Sequence, residues 1–200
     1  LWGAAQKAMP VFFDAETDGI IEGQLIPNIH CICAYNSTTQ TFTRFYEPEG
    51  GALGQSTLQK AAKFLCEARD ELHGFNSAAF DLRLVYHHLE NDDLKNAIAT
   101  CALEHTDVML DFWSRAGFPA SLQSIATGIG AGSKLMGGEN AIAQWQAGNI
   151  QNVLDYCDED CKLLASIVEY VNVYGRYIRI TKTTKRKAVT LVDGYTLRPT

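Results

Sequence analysis

The chain of 200 residues is 46% hydrophobic and 20% charged, with 16 Gly and 5 Pro. This composition excludes a disordered, collagen-like or coiled-coil protein, and the length is suited to one domain with its own core. The net charge of −6 is unevenly distributed, because residues 176–200 carry +6 and the remainder carries −12. We interpret residues 176–200 either as a basic surface that contacts phosphates or as a solvated hairpin that aids solubility.

The predicted elements begin with three strands. An apolar run at 10–17 ends in acids and predicts a buried strand. The β-rich runs 28–35 and 41–46 flank the turn residues 36–39 and predict a hairpin. Ser56 and the apolar spacing that follows it predict a capped amphipathic helix, and a short strand follows at 71–75.

The second half of the chain is predicted to be mainly helical. A helix is predicted at 81–89, and 105–110 is predicted as an extended segment or turn leading into 111–115. A short helix at 121–127 precedes the Gly-rich residues 128–132, and the longest helix spans 149–174. Beyond it, Asp193 and Gly194 lie between the apolar runs 189–192 and 195–197, a pattern that predicts a hairpin.

The first ten residues, LWGAAQKAMP, lack the charged start and apolar stretch of a secretory signal. No apolar run reaches the roughly 18 residues of a membrane helix. We therefore expect a cytoplasmic protein without a membrane partner. Residues 1–10 are treated as an extension, 11–175 as the functional domain and 176–200 as a basic hairpin or tail.

The six cysteines are expected to be reduced thiols. Cys31 and Cys33 alternate along an apolar run, and Cys157 and Cys161 are one helical turn apart, so two pairs could together form a zinc site. No pair has the C-x2-C spacing of a zinc knuckle, and free Cys is commonly buried. Core packing is the favoured interpretation.

Acidic residues occur in three motifs. In FDAETDG, strand alternation directs Asp14 and Glu16 to one face, although the pair could also serve as a helix cap or a solvated turn. In NSAAFD, Asp81 lies near a helix start, where the helix dipole alone favours an acid. In YCDEDC, Tyr156 and Asp160 share a helix face, while Asp155, Asp158 and Glu159 are expected to face solvent. Carboxylates from these three segments would suit Mg²⁺ or Mn²⁺.

These motifs resemble the three exonuclease motifs of the DEDD superfamily of 3′–5′ exonucleases, and the Tyr four residues before the last Asp resembles its tyrosine subgroup. HTDVML and SLQSIATGIG resemble the family's Asp-bearing segment and the Ser-Leu helix before its last motif. The resemblance covers residues 11–171 approximately. Asp18, next to the expected nucleotide contact Thr17, departs from the pattern, because many members have an uncharged residue there.

The resemblance implies an α/β, ribonuclease H-like fold: a mixed five-stranded sheet, antiparallel through its first three strands and flanked by helices, with the basic C-terminal hairpin as an appendage. It also implies a site that holds two divalent ions, with a tyrosine orienting the attacking water. The metal ligands would be Asp14, Glu16, Asp81 and Asp160, and the tyrosine Tyr156. The residues expected to contact substrate are Thr17, Asn76, Phe80, Lys182, Lys185, Arg186 and Lys187.

The implied function is a 3′–5′ exonuclease that releases 5′-mononucleotides from single-stranded or frayed 3′ ends, with DNA as the first choice and RNA as the alternative. Its partners would be a nucleic-acid 3′ end and a polymerase or a replication or repair complex. An endonuclease of the same fold and a catalytically silent nucleic-acid-binding domain remain the competing hypotheses.

Overall fold

A five-stranded sheet forms the centre of the fold. The computed structural model describes residues 9–133 and 137–192. The sheet strands are β1 (Val11–Thr17), β2 (Ile29–Asn36), β3 (Thr41–Tyr46), β4 (Leu72–Gly74) and β5 (Thr106–Asp107). Their spatial order is β3-β2-β1-β4-β5, with β1, β2 and β3 antiparallel and β4 and β5 parallel to β1. The predicted mixed sheet is therefore confirmed.

Helices cover both faces of this sheet. Within the described ranges they are α1 (Gln55–Glu67), α2 (Asp81–His88), α3 (Asp92–Glu104), α4 (Val108–Ala116), α5 (Leu122–Ile129), α6 (Gly138–Gln146) and α7 (Ile150–Tyr174), with a short 3₁₀ turn at Arg69–Glu71. None of these described helices is both long and apolar enough to cross a membrane.

The alternation of side chains along β1 divides the core into two layers. Phe13 and Ala15 pack with residues of α1, α2 and α3 on one face, whereas Phe12 packs with residues of α4 to α7 on the other. Asp14 and Glu16 follow Phe12 at two-residue intervals, so they share the face covered by α7.

Helices α3 and α6 were not among the predicted elements. For α3 the signal was present, because the Asn91 side chain caps the helix by accepting from the Leu94 N–H, and Asp92 and Asp93 occupy the first turn. The predicted cap of α1 was wrong. Helix α1 begins after Gly54, whose N–H donates to Glu47, and Ser56 lies inside the first turn.

A separate hairpin follows α7. Its strands are β6 (Arg176–Ile180) and β7 (Lys187–Leu191), paired so that Ile178 lies opposite Val189. The hairpin predicted around Asp193 and Gly194 lies outside the described residues. The observed hairpin confirms a two-stranded C-terminal unit, and the turn at Asp193 and Gly194 stays a prediction.

This hairpin is docked on the body. Tyr177 is fully buried, and its hydroxyl donates to Asp111 at 2.7 Å. The hydroxyl of Ser124 in α5 donates to the Ile180 carbonyl at 2.8 Å. Helix α5 approaches β6 so closely at Gly128 that a Cβ there would lie 2.2 Å from the Ile178 carbonyl oxygen. The hairpin is thus an integral part of the packed structure.

Candidate functional site

The carboxyl end of β1 supplies two acids. Asp14 lies opposite Cys33 and Glu16 opposite Cys31 in the antiparallel pairing with β2. The pairing shifts between Glu16 and Thr17, where β1 leaves its regular register. Both carboxylates are half-buried and point toward the α7 side of the sheet, as the alternation predicted.

The segment after β4 positions Asp81. Gly74 ends the strand where the chain folds back, because a Cβ at this position would lie 2.1 Å from the Ser77 hydroxyl. Asn76 then adopts a left-handed conformation, with φ of 63°, and α2 begins at Asp81. Asp81 is only 4% exposed, and it lines the same cleft as Asp14 and Ala15. The second acidic motif therefore lies beside the first.

Asp107 and His105 hold this segment in place. The Asp107 carboxylate caps α4 by accepting from Met109 and Leu110, and it also accepts from the backbone N–H groups of Asn76 and Ala78. The imidazole of His105 lies 2.7 Å from the Ser77 hydroxyl. In the sequence only the family resemblance of HTDVML marked Asp107, and the contacts give it a positioning role.

Helix α7 contributes the third set of side chains. Tyr156 and Asp160, one turn apart, are each 2% exposed and face the β1 acids. The expectation that Asp158 faces solvent was wrong. Asp158 is buried and accepts a hydrogen bond from Arg44 Nε of β3 at 3.0 Å, which ties the edge strand to α7.

One cleft of about 600 Å³ brings these segments together. Its lining includes all five residues predicted as catalytic: Asp14, Glu16, Asp81, Tyr156 and Asp160. The carboxylate oxygens of Asp14 and Glu16 lie within 4.8 Å of each other, close enough for both to contact one ion or neighbouring ions. The cleft can therefore concentrate hard oxygen donors around a divalent cation.

The electrostatics of the cleft agree with that donor set. Burial raises the pKa of Asp81 well above its ordinary value, and the nearby Asp14 carboxylate raises it further. Such convergence of acids disfavours full ionisation unless a cation balances the charge. A divalent ion bound by these carboxylates would supply that balance.

The predicted substrate residues fall into two groups. Thr17, Asn76 and Phe80 line the cleft. The basic residues Lys182, Lys185, Arg186 and Lys187 are exposed in and beside the β6–β7 turn, and they are not among the residues that line the cleft. Asp18 is not among the residues that line the cleft, and its carboxylate accepts from the backbone and side chain of Asn28, both at 2.8 Å.

Helix α6 adds side chains that sequence reasoning missed. Glu139 and Ile142 line the cleft opposite β1. The helix is held by Trp145, whose ring stacks on His30 with centroids 4.8 Å apart. The spacing of Ala141 and Trp145, both buried, was the available signal for an amphipathic helix here.

A thiol also reaches the acids. Cys157 follows Tyr156 on α7, and its Sγ lies 3.4 Å from the Asp14 carbonyl oxygen and 3.8 Å from Asp14 Oδ2. All six cysteines are free thiols, as expected.

Comparison with known proteins places this arrangement in context. A family model described as RNase_H superfamily matches residues 11–172. The family B DNA polymerase from the hyperthermophilic archaeon Pyrobaculum calidifontis has a similar structure, with a TM-score of 0.58 and 15% sequence identity. That similarity covers 86% of this chain and 25% of the polymerase chain, so the present chain spans about a quarter of its length. No curated protein matches the sequence.

Proposed function

Because the chain belongs to the RNase H superfamily, we propose that it is a metal-dependent 3′–5′ exonuclease of the DEDD type, tyrosine subgroup. It releases 5′-mononucleotides from a single-stranded or frayed 3′ end, with DNA as the favoured substrate. The observation that carries the proposal is the convergence of Asp14, Glu16, Asp81, Tyr156 and Asp160 on one cleft.

The carboxylates suit two hard cations such as Mg²⁺ or Mn²⁺, and the residues that would hold them are Asp14, Glu16, Asp81 and Asp160. Bound there, the ions would acidify water and stabilise charge on the phosphate. The raised pKa of Asp81 supports this assignment, because burial and repulsion between neighbouring carboxylates both raise it when no cation is bound between them.

Tyr156 has the role of orienting the attacking water. Its ring is buried in the α7 layer while the residue lines the cleft, so the ring fixes the position of the hydroxyl. A hydroxyl can both donate and accept a hydrogen bond, and it aligns water without acting as the base.

The cleft walls suit a flexible strand end. Phe75, Phe80, Ile20 and Ile142 provide apolar surface beside the acids, and bases of any sequence can stack on such surface. The structural similarity to a DNA polymerase supports DNA as substrate and a polymerase or a replication or repair complex as partner.

The test uses 5′-labelled single-stranded DNA with a free or a blocked 3′ end, a circular DNA of the same sequence, and a matched RNA. With Mg²⁺ or Mn²⁺, the free DNA end should be shortened stepwise to 5′-mononucleotides, while blocked and circular DNA persist. Asp160→Ala serves as the inactive control. Cleavage of the circle would indicate an endonuclease, faster loss of RNA an RNA-processing exonuclease, and no metal-dependent hydrolysis a silent domain.

A further inference from the structure

Four buried thiols meet between β2 and α7. Cys31 and Cys33 alternate on β2 and therefore share the face that α7 covers, and Cys157 and Cys161 lie one turn apart on that helix. The sulfur atoms of Cys31, Cys33 and Cys157 all lie within 4.8 Å of one another. Each of the four residues is fully buried. This group is called the thiol cluster below.

The spacing of these sulfur atoms suits one soft cation. Two thiolates bound to the same zinc-sized ion at about 2.3 Å each can be at most about 4.6 Å apart. The observed separations therefore require only small movements to accommodate an ion. The thiol of Cys161, one helical turn from Cys157, donates to the Cys33 carbonyl at 3.4 Å and so borders the same group.

We propose that Cys31, Cys33 and Cys157 form a binding site for a thiophilic cation of the Zn²⁺ class, distinct from the carboxylate site of the cleft. Thiolates favour such soft cations over Mg²⁺ and Mn²⁺, so the two neighbouring donor sets select different ions. The cluster borders the cleft at Asp14, which lines the cleft and contacts the Cys157 thiol.

The two sites share a boundary at Cys157. This thiol belongs to the thiol cluster, and it also lies within 4.8 Å of the carboxylate oxygens of Asp14 and Glu16. Three thiolates more than neutralise a divalent ion, so charge repulsion does not couple the sites; instead, Asp14 lies beside Cys157, and a carboxylate drawn to an ion at the cluster is lost to a hard cation in the cleft. The thiol site should thus oppose binding of a hard cation, an antagonism that rests on the metal role proposed for the cleft.

The direct test is titration of the protein, kept reduced with a phosphine, with Cd²⁺ as the probe for the Zn²⁺ class. One equivalent should produce the ultraviolet thiolate-to-cadmium charge-transfer absorption, and Zn²⁺ should compete for the site. Cys33→Ala should weaken binding more than about 10-fold. Cys66→Ala is the matched control, because Cys66 lies on α1 in the core layer on the opposite face of the sheet, and this variant should bind as the wild type does.

Melting curves show whether a variant fails to bind Cd²⁺ because it has lost a ligand or because it is unfolded. Cd²⁺ should raise the melting temperature of the wild type and of Cys66→Ala, with little effect on Cys33→Ala. Cys31→Ser provides a second variant if Cys33→Ala fails to fold. Absence of charge-transfer absorption in the wild type, or equal absorption in Cys33→Ala, would overturn the proposal. Loss of this absorption in Cys66→Ala would also overturn it, because the ion would then be bound at Cys66.

Antagonism is measured separately by the electron paramagnetic resonance of Mn²⁺. Saturating Cd²⁺ should weaken Mn²⁺ binding at least about 5-fold in the wild type but not in Cys33→Ala. Unchanged Mn²⁺ affinity in cadmium-loaded protein would refute the coupling. If Mn²⁺ fails to bind even without Cd²⁺, the metal role of the cleft fails, while the charge-transfer absorption still decides the thiol site.

Discussion

The Oδ1 atom of Asp107 accepts a hydrogen bond from the backbone nitrogen of Asn76 at 2.9 Å, across two adjacent parallel segments of the sheet. Its second oxygen accepts from Ala78 at 3.0 Å. Asn76 has a positive φ, a conformation that few non-Gly residues adopt and that Asn tolerates better than most. One carboxylate therefore fixes the loop that delivers Asp81 to the cleft.

Removing that charge should misplace Asp81. Asp107→Asn replaces one accepting oxygen by a donor that faces backbone N–H groups, so the loop loses half of its anchor. We expect kcat to fall about 10- to 100-fold, since displacements near 1 Å have effects of this size. The capping function of Asp107 should also be weakened, lowering the free energy of unfolding by about 1 kcal/mol.

Ser121→Ala provides the matched control for the cap. Ser121 caps α5 by accepting from Ser124, and it is not among the residues that line the cleft. It should show a comparable loss of stability in urea unfolding with unchanged kcat. Equal activity losses in both variants would contradict the positioning role of Asp107.

Tyr156→Phe distinguishes the role of the hydroxyl from that of the ring, because it removes only the hydroxyl. The ring keeps its buried packing, so the melting temperature should change little, while kcat should fall about 10- to 1000-fold because the water loses its orienting partner. Tyr170→Phe, on the same helix but half-exposed, should leave kcat unchanged. Wild-type turnover in Tyr156→Phe would assign that residue to the core alone.

The acidic cleft predicts a pH dependence of stability in the metal-free protein. In the unfolded chain Asp81 titrates near its ordinary value of 3.8, whereas burial and Asp14 place its folded-state pKa well above this value. The folded protein thus retains a proton that the unfolded chain has released. The contribution of Asp81 to the free energy of unfolding should therefore be largest at low pH, and it should be lost as pH rises through the folded-state pKa.

Asp81→Asn should remove this dependence, because the amide carries no titrating proton. Urea unfolding of metal-free protein at about pH 5 and about pH 8 should show a smaller decrease for Asp81→Asn than for the wild type. Asp70→Asn, at an exposed position, should retain the wild-type decrease. If the free energy of unfolding decreased equally between the two pH values in the wild type and in Asp81→Asn, the folded-state pKa of Asp81 would not be raised.

Local periodicity predicted which site residues share a face of one element, whereas the joining of the three motifs, Asp81 included, was predicted from the family resemblance. Strand alternation was sufficient to place Asp14 with Glu16, and helical spacing to place Tyr156 with Asp160, because each pair lies on one element. The contribution of Glu139 could not be predicted this way. It depends on where α6 docks, and the stacking of Trp145 on His30 joins residues far apart in sequence.

The β6–β7 hairpin has no strong turn signal in its sequence. Its turn has no Gly, and Lys185 adopts the left-handed conformation with φ of 54°. The turn is closed by a hydrogen bond from the Thr181 N–H to the Arg186 carbonyl. The dipeptide Asp193-Gly194 is the commoner signal, and the hairpin predicted there lies outside the described residues and stays a prediction.

The basic turn of the β6–β7 hairpin is best tested by substitution. Deleting the hairpin would remove the buried side chain of Tyr177 together with its bond to Asp111, so a deletion would confound binding with stability. Substitution by Gln removes the charge and leaves the docked strands in place. The four exposed residues to be replaced together are Lys182, Lys185, Arg186 and Lys187.

If this turn guides the nucleic-acid backbone, the fourfold Gln variant should raise KM and leave kcat unchanged, because phosphate contacts away from the scissile bond stabilise ground state and transition state equally. The slope of log KM against log salt should fall by about 0.7 for each phosphate of a single strand that the turn no longer neutralises.

The control replaces four exposed basic residues on the opposite layer with Gln, for the same change in net charge: Lys60, Lys63, Arg69 and Arg83. A general effect of net charge would raise KM equally in both variants, whereas a guiding surface raises it only when the turn is altered. Measurement at low ionic strength is decisive, since screening is weakest there, and a wild-type KM and slope under those conditions would leave the turn as a solvated hairpin end.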